Sequence, residues 1–198
     1  GCRWLIAAAL SLTISTAHAA NDYIVAPSGG DITGAALSAQ LAMISVTLQS
    51  SLGGKAGSGN VIINDVVTWS ANTTLTLTAS NNVNINANVS STGNTAGLSI
   101  NANTANGTES ASGTGVYNLG NGASVTLSGT TPGLSIAGVA YTVINSLGTA
   151  TDATTPPATP TLQGMAATAN LSKNHALSSN IDATVTPTWN SGAGFTPI

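Results

Sequence analysis

Apolar and polar residues alternate with a period of two through the middle of the chain. Leu75, Leu77 and Ala79 interleave with Thr74, Thr76 and Thr78, and Val83, Ile85, Ala87 and Val89 with Asn82, Asn84, Asn86 and Asn88. Leu98, Ile100 and Ala102 alternate with Ser99, Asn101 and Asn103, and Val125 and Leu127 with Ser124, Thr126 and Ser128. This pattern predicts strands with one face inward and the other toward solvent. Asn is ordinarily depleted in strands, so a row of it is easiest to explain where like residues stack between superposed strands. Ile63 to Ile85 is 22 residues, Leu77 to Ile100 is 23 and Ile100 to Leu127 is 27. A repeat of this length carrying short strands predicts a β-solenoid, whose coils bury their apolar faces by stacking. Thr104 to Gly115, rich in Gly, Ser, Thr and Asn, reads as a loop enlarging one coil. A β-sandwich also has many short strands, but the hairpin dipeptides Asn106-Gly107 and Asn121-Gly122 are few. Expected core positions are Ile63, Leu75, Leu77, Val83, Ile85, Leu98, Ile100, Val125, Leu127 and Ile136.

The flanks of this region read differently. In Gly34 to Met43, Leu37 and Leu41 stand four apart, which predicts a short helix, with Asp31 or Thr33 able to cap it. Val46 and Leu48 return to alternation before Gly53-Gly54 and Gly57-Ser58-Gly59 interrupt it. Leu134-Ser135-Ile136 and Tyr141 to Ile144 are expected to form a further coil. Pro156, Pro157 and Pro160 mark residues 149–161 as a Pro/Thr-rich loop or linker. The organisation expected is a signal peptide over 1–19, an N-terminal segment with helix and first strand over 20–59, coils over 60–148, that loop, and the start of a further region over 162–198. Arg3, the short apolar stretch Trp4 to Ser15 and Ala17-His18-Ala19 carry the signal-peptide reading, with cleavage after Ala19. A start at Gly1 and an end at Phe195-Thr196-Pro197-Ile198 without a polar cap predict that residues are missing from both ends.

Composition narrows the possible roles. Of 198 residues, three are Lys or Arg and six are Asp or Glu, where an ordinary domain has roughly 25% charged residues. Their place is taken by 29 Thr, 23 Ser and 20 Asn. So few cations cannot neutralise a phosphate backbone, which argues against nucleic acid. Charge-driven disorder and coiled coils are excluded by the same counts. Once Cys2 and Arg3 leave with the signal peptide, the chain has no cysteine, two cations against six acids and a net charge of −4. Disulfides and thiolate chemistry are then impossible. The apolar stretch of about twelve residues is shorter than the roughly 20 a membrane span needs, so no span is expected in the mature chain.

Several segments resemble the passenger region of filamentous-haemagglutinin-like exoproteins. They are Ala35-Ala36-Leu37 with Val46-Thr47-Leu48, Val67 to Leu77, Asn84-Ile85-Asn86-Ala87, Tyr141-Thr142-Val143-Ile144, Leu162-Gln163-Gly164-Met165, Asn180-Ile181-Asp182-Ala183, and Trp189-Asn190 with Gly192-Ala193-Gly194-Phe195. The resemblance covers most of Ile24 to Ile198. It implies an all-β fold, a right-handed parallel β-helix with a short N-terminal helix after the signal peptide. It also implies a Gram-negative source, export by an outer-membrane two-partner transporter, and adhesion to host cells or matrix. The family's N-terminal secretion module is not recognisable here, and His175 stands where relatives tend to have Tyr.

Candidate chemistry is sparse. Asp22, Asp31, Asp65, Glu109, Asp152 and Asp182 are scattered singly, whereas glycoside hydrolysis needs two carboxyls roughly 5–10 Å apart. A lone acid in a turn ordinarily bonds its own backbone. Elimination chemistry would need a base beside the substrate carboxylate, and only Lys55 and Lys173 are available. His175, the sole mature histidine, could ligate haem iron or another metal, and its expected place is a solvent-facing loop. Thr74-Leu75-Thr76-Leu77-Thr78 could bind ice if Thr rows stacked, but the rows that follow are Asn84/Asn86 and Ser99/Asn101. Trp69, expected at a coil corner, and Trp189 are candidate ligand platforms. The sequons at Asn72, Asn88, Asn106 and Asn170 are at the level chance supplies. The expectation is therefore a non-catalytic exoprotein segment with no catalytic, cofactor or metal site. Haem acquisition is the alternative; a polysaccharide-active enzyme or an ice-binding protein ranks lower.

Overall fold

The computed structural model describes residues 20–104 and 116–198. The expected signal peptide, Glu109 and all but the first residue of the loop from Thr104 to Gly115 lie outside the described residues. Those described are mostly sheet, with one α-helix and several parallel strands. Strand β1 (Ala20–Val25), helix α1 (Gly34–Leu41) and strands β2 (Val46–Gln49) and β3 (Lys55–Gly57) come first. Three triplets follow: β4 (Val61–Ile63), β5 (Val67–Trp69) and β6 (Thr74–Thr78); β7 (Val83–Ile85), β8 (Val89–Ser91) and β9 (Gly97–Asn101); β10 (Tyr117–Leu119), β11 (Val125–Leu127) and β12 (Gly133–Ile136). The last strands are β13 (Val139–Ile144) and β14 (His175–Leu177).

Each triplet contributes one strand to each of three sheets, ordered β10-β7-β4-β1-β3, β11-β8-β5 and β14-β13-β12-β9-β6-β2. Pairing between successive triplets is parallel and in register. Ile63 lies beside Ile85 and Ile85 beside Leu119; Leu77 lies beside Ile100 and Ile100 beside Ile136. Alternation turns one side of each strand inward, so Ile63, Leu75, Leu77, Val83, Ile85, Leu98, Ile100 and Leu127 form one core with Val61, Val67 and Val89. Val125 and Ile136, expected in the core, are only half-buried. Both belong to the third triplet, beyond which sheets one and two gain no further strand.

Polar side chains bind successive passes of the chain. Asn86 Nδ2 donates to Asn64 Oδ1 at 2.9 Å, 22 residues back, and Asn118 Nδ2 to Asn84 Oδ1 at 2.8 Å, 34 residues back. Asn88 Oδ1 accepts from the Ser124 N–H, 36 residues on. The row from Asn82 to Asn88 thus bonds other Asn side chains or a neighbouring backbone group, which offsets its poor strand propensity. The Nδ2 groups of Asn101 and Asn103, by contrast, are buried without a partner among the described residues. These separations also correct the spacing. Leu127 pairs with Ser91, while Ile100 is matched by Ile136, so the third pass is longer than the 27 residues inferred from Ile100 and Leu127. At one corner the passes approach so closely that a Cβ on Gly129 would lie 2.1 Å from the Gly93 carbonyl oxygen.

The two ends of the stack differ. Thr33 caps α1, its Oγ1 accepting from the Ala36 N–H at 3.1 Å, and Leu37 and Leu41 are fully buried. Asp31, the other candidate cap, instead joins strands: its two oxygens accept from the N–H groups of Ile24 and Gly54, both at 2.7 Å. The helix covers the free edge of β5, where Thr68 N–H donates to Ser38 Oγ at 2.9 Å. At the opposite end, Tyr141 to Ile144 does not begin another pass. It belongs to β13, which turns back antiparallel on β12 through Ala137 and Gly138, at φ 51° and 76°. Two consecutive positive φ values suit the tight hairpin turn. No helix among the described residues is long and apolar enough to cross a membrane.

Candidate functional site

Each described acid that might have joined a catalytic pair accepts at least one backbone N–H. Asp22 Oδ1 accepts from Ser58 and Asn60 N–H groups at 3.0 and 2.7 Å, and Asp65 from Gly34 and Val66 at 2.8 and 2.9 Å. Asp182, bonded to the Thr184 N–H, keeps to its own turn as expected of a lone acid, and Asp152 bonds its own turn at Thr149 but also Thr161, nine residues on. Asp22, Asp31 and Asp65 instead reach residues 23–38 positions away, which sequence spacing cannot reveal. Among the described residues no three His, Cys, Asp or Glu side chains gather as a metal site.

Asp152 is 5% exposed, in a 3-10 turn over Ala150–Ala153 within the Pro/Thr-rich segment. It accepts from Thr149 Oγ1 at 2.6 Å, Thr161 Oγ1 at 2.8 Å and the Thr149 N–H at 3.1 Å. Thr149 and Asp152 form a reciprocal capping box, a spacing visible in the sequence. Gly148, at φ 83°, leaves the space, since a Cβ there would meet the Asp152 carboxylate at 2.2 Å. Burial pushes this carboxyl up, but the hydrogen bonds from Thr149 and Thr161 outweigh it and hold the group below the usual carboxylate range. A lowered folded value stabilises the native state above the unfolded value, about 3.9, and that contribution disappears as pH falls through the folded value. Acid titration of the melting temperature should therefore show a slope below about pH 4 that Asp152→Asn reduces; an unchanged slope would refute the role given to Asp152.

The aromatic and Thr candidates find structural employment. Trp69 lies in β5 and not at a corner; it is 5% exposed, and its Nε1 donates to the Thr73 carbonyl at 3.1 Å. Trp189 stacks on Phe195 with ring centroids 6.4 Å apart. The neighbours of Thr76 are Thr47 and Ser99, with Ser135 beyond. Asn84 belongs to a different sheet. Ser135 Oγ donates to Ser99 Oγ at 2.9 Å. Beside this hydroxyl file Thr74 is followed by Gly97 and Gly133, so a second file of Thr is not built.

Two concave features bear on the candidate residues and on the end of the stack. An apolar cavity of about 170 Å³ opens at the third triplet, lined by Ile100, Leu119, Leu134, Val143 and Leu177 among others. Tyr117 and Leu119 are 55% and 56% exposed, although they continue the rows of buried Val83 and Ile85. The second feature contains His175, which lies in strand β14 beside Thr142 of β13 and is half-buried, contrary to the expected loop. It lines a polar pocket of about 70 Å³ with Thr142, Thr161, Met165, Asn170 and Lys173. Pockets for drug-sized ligands are about 300–1,000 Å³, so a haem macrocycle does not fit this one. No protein-family model matches the chain, and neither a curated protein nor a solved structure shows significant similarity to it.

Proposed function

We propose that this chain is a non-catalytic segment of a secreted bacterial surface exoprotein, a right-handed parallel β-helix that supports adhesion to host cells or matrix. The observation that carries this reading is the repeated, in-register, parallel pairing of successive passes of the chain, from β4 to β12, in three sheets. Outward columns such as Thr68-Ser90-Thr126 and Thr47-Thr76-Ser99-Ser135 are uncharged. Stacked coils of this kind give a stiff, extended support from which surface groups can meet a ligand. The carboxylates support a non-catalytic role because their hydrogen bonds go to backbone and Thr hydroxyl groups. Export as a filamentous-haemagglutinin-like protein through an outer-membrane partner is part of the same proposal and rests on the sequence resemblance.

Binding of the purified chain to cultured epithelial cells and to matrix-coated surfaces tests the adhesive role. Saturable binding that survives His175→Ala is expected. Binding no greater than that of an unrelated protein of similar charge would overturn it. A Soret shift on haem titration that His175→Ala abolishes would favour the haem-acquisition alternative.

A further inference from the structure

We propose that the polar pocket between β13, β14 and the turn carrying Asn170 binds a carboxylate. This site is independent of the adhesive reading. In-register pairing puts Thr142 and His175 side by side on one face of the sheet, on strands about 4.8 Å apart. Lys173 Nζ donates to Asn170 Oδ1 at 2.8 Å, which leaves two of the three ammonium N–H groups for a ligand.

The neighbouring acceptors are already engaged. Asn170 Oδ1 takes the lysine, and its Nδ2 donates to the Gly164 carbonyl at 2.7 Å. Thr161 Oγ1 donates to Asp152 and accepts from the Gly164 N–H at 3.0 Å. Among the residues lining the pocket, Lys173 brings an ammonium that can only donate, and His175 and Thr142 bring groups that can each donate to an anion.

No carboxylate lines the pocket. Asp152, behind Thr161, is turned to its three hydrogen bonds and weakens the attraction for an anion without cancelling it. Met165 and His175 are both possible ligands of a soft metal, but the ammonium beside them opposes a cation. A volume of about 70 Å³ admits a carboxyl group and leaves the body of its ligand outside. Such a carboxylate can come from an acidic sugar or from a peptide C-terminus.

Amide spectra of the isotopically labelled chain, titrated with glucuronate, N-acetylglycine, methyl glucoside and chloride, test the proposal. Saturable shifts at His175 and Thr142 are expected in the millimolar range with both carboxylates and neither control. Lys173→Gln and His175→Gln should each weaken binding several-fold while the melting temperature stays close to wild type. A tighter response to glucuronate assigns an acidic sugar, and a tighter one to N-acetylglycine a peptide terminus. Equal shifts with chloride or methyl glucoside, no saturation, or full retention of binding in both folded variants would overturn the site.

Discussion

Ile85→Asp abolishes cooperative folding at neutral pH. Ile85 is 2% exposed and sits between Ile63 and Leu119 in sheet one, with aliphatic side chains on both adjacent strands. A carboxylate there loses its hydration without gaining a cation, since the described cations Lys55 and Lys173 lie in or near other strands. The cost of such a buried, unpaired charge is several kcal/mol after relaxation, comparable with the roughly 5–15 kcal/mol that holds an ordinary domain together. Circular dichroism should show no thermal transition near that of wild type. Ile85→Val, which removes one methylene without introducing charge, should cost only about 0.5–1.5 kcal/mol. Retention of the wild-type melting temperature by Ile85→Asp would show that this strand does not face inward.

Trp69→Ala is expected to be the most damaging neutral substitution, at about 3–5 kcal/mol. The indole fills the interior beside Ser91, the small residue paired with it on β8, so no large neighbour stands ready to collapse into the space. Removal also leaves the Thr73 carbonyl without the Nε1 donor that now reaches it at 3.1 Å. Urea unfolding followed by circular dichroism measures the loss as a lower midpoint at an unchanged slope. Trp189→Ala, where a half-buried ring stacks on Phe195, is the comparison and should change the midpoint far less. A Trp69→Ala midpoint within the spread of Trp189→Ala would contradict the buried setting of Trp69.

Much of the interior was legible because period-two alternation is local: a residue's inward or outward direction follows from its immediate neighbours. Eight of the ten expected core residues, Ile63 and Leu98 among them, are buried for that reason. Val125 was misjudged because its strand has no neighbour on one side, and Ile136 because the sheets beside its own gain no strand beyond the third triplet; alternation reports neither. The helix was legible through Leu37 and Leu41, but the choice between Thr33 and Asp31 as its cap needed Gly54 in place beside Asp31. Trp69 followed the same rule as Leu75 and Ile85, yet it was expected at a corner; nothing local reveals the small Ser91 opposite.

The pocket at His175 was the least legible feature. His175 and Lys173 were visible separately, but Thr142 and Thr161 come from segments far away in the chain. Residues 149–161 read only as a Pro/Thr-rich loop or linker; that Asp152 is buried in a turn there and that Thr161 lines a pocket follow from packing that no local pattern shows.

The sequence by itself determined a predominantly β chain with apolar residues inward and Thr, Asn and Ser outward, because these preferences act over two or three residues. Tertiary structure decided which pass lies on which. That choice depends on the chain length between strands and on hydrogen bonds spanning 22 to 36 residues, such as Asn86 to Asn64 and Ser124 to Asn88. It also set the acids against distant backbone N–H groups and brought Lys173, His175 and Thr142 around one small cavity. Those arrangements arise only when separate segments close on one another, so no local pattern encodes them.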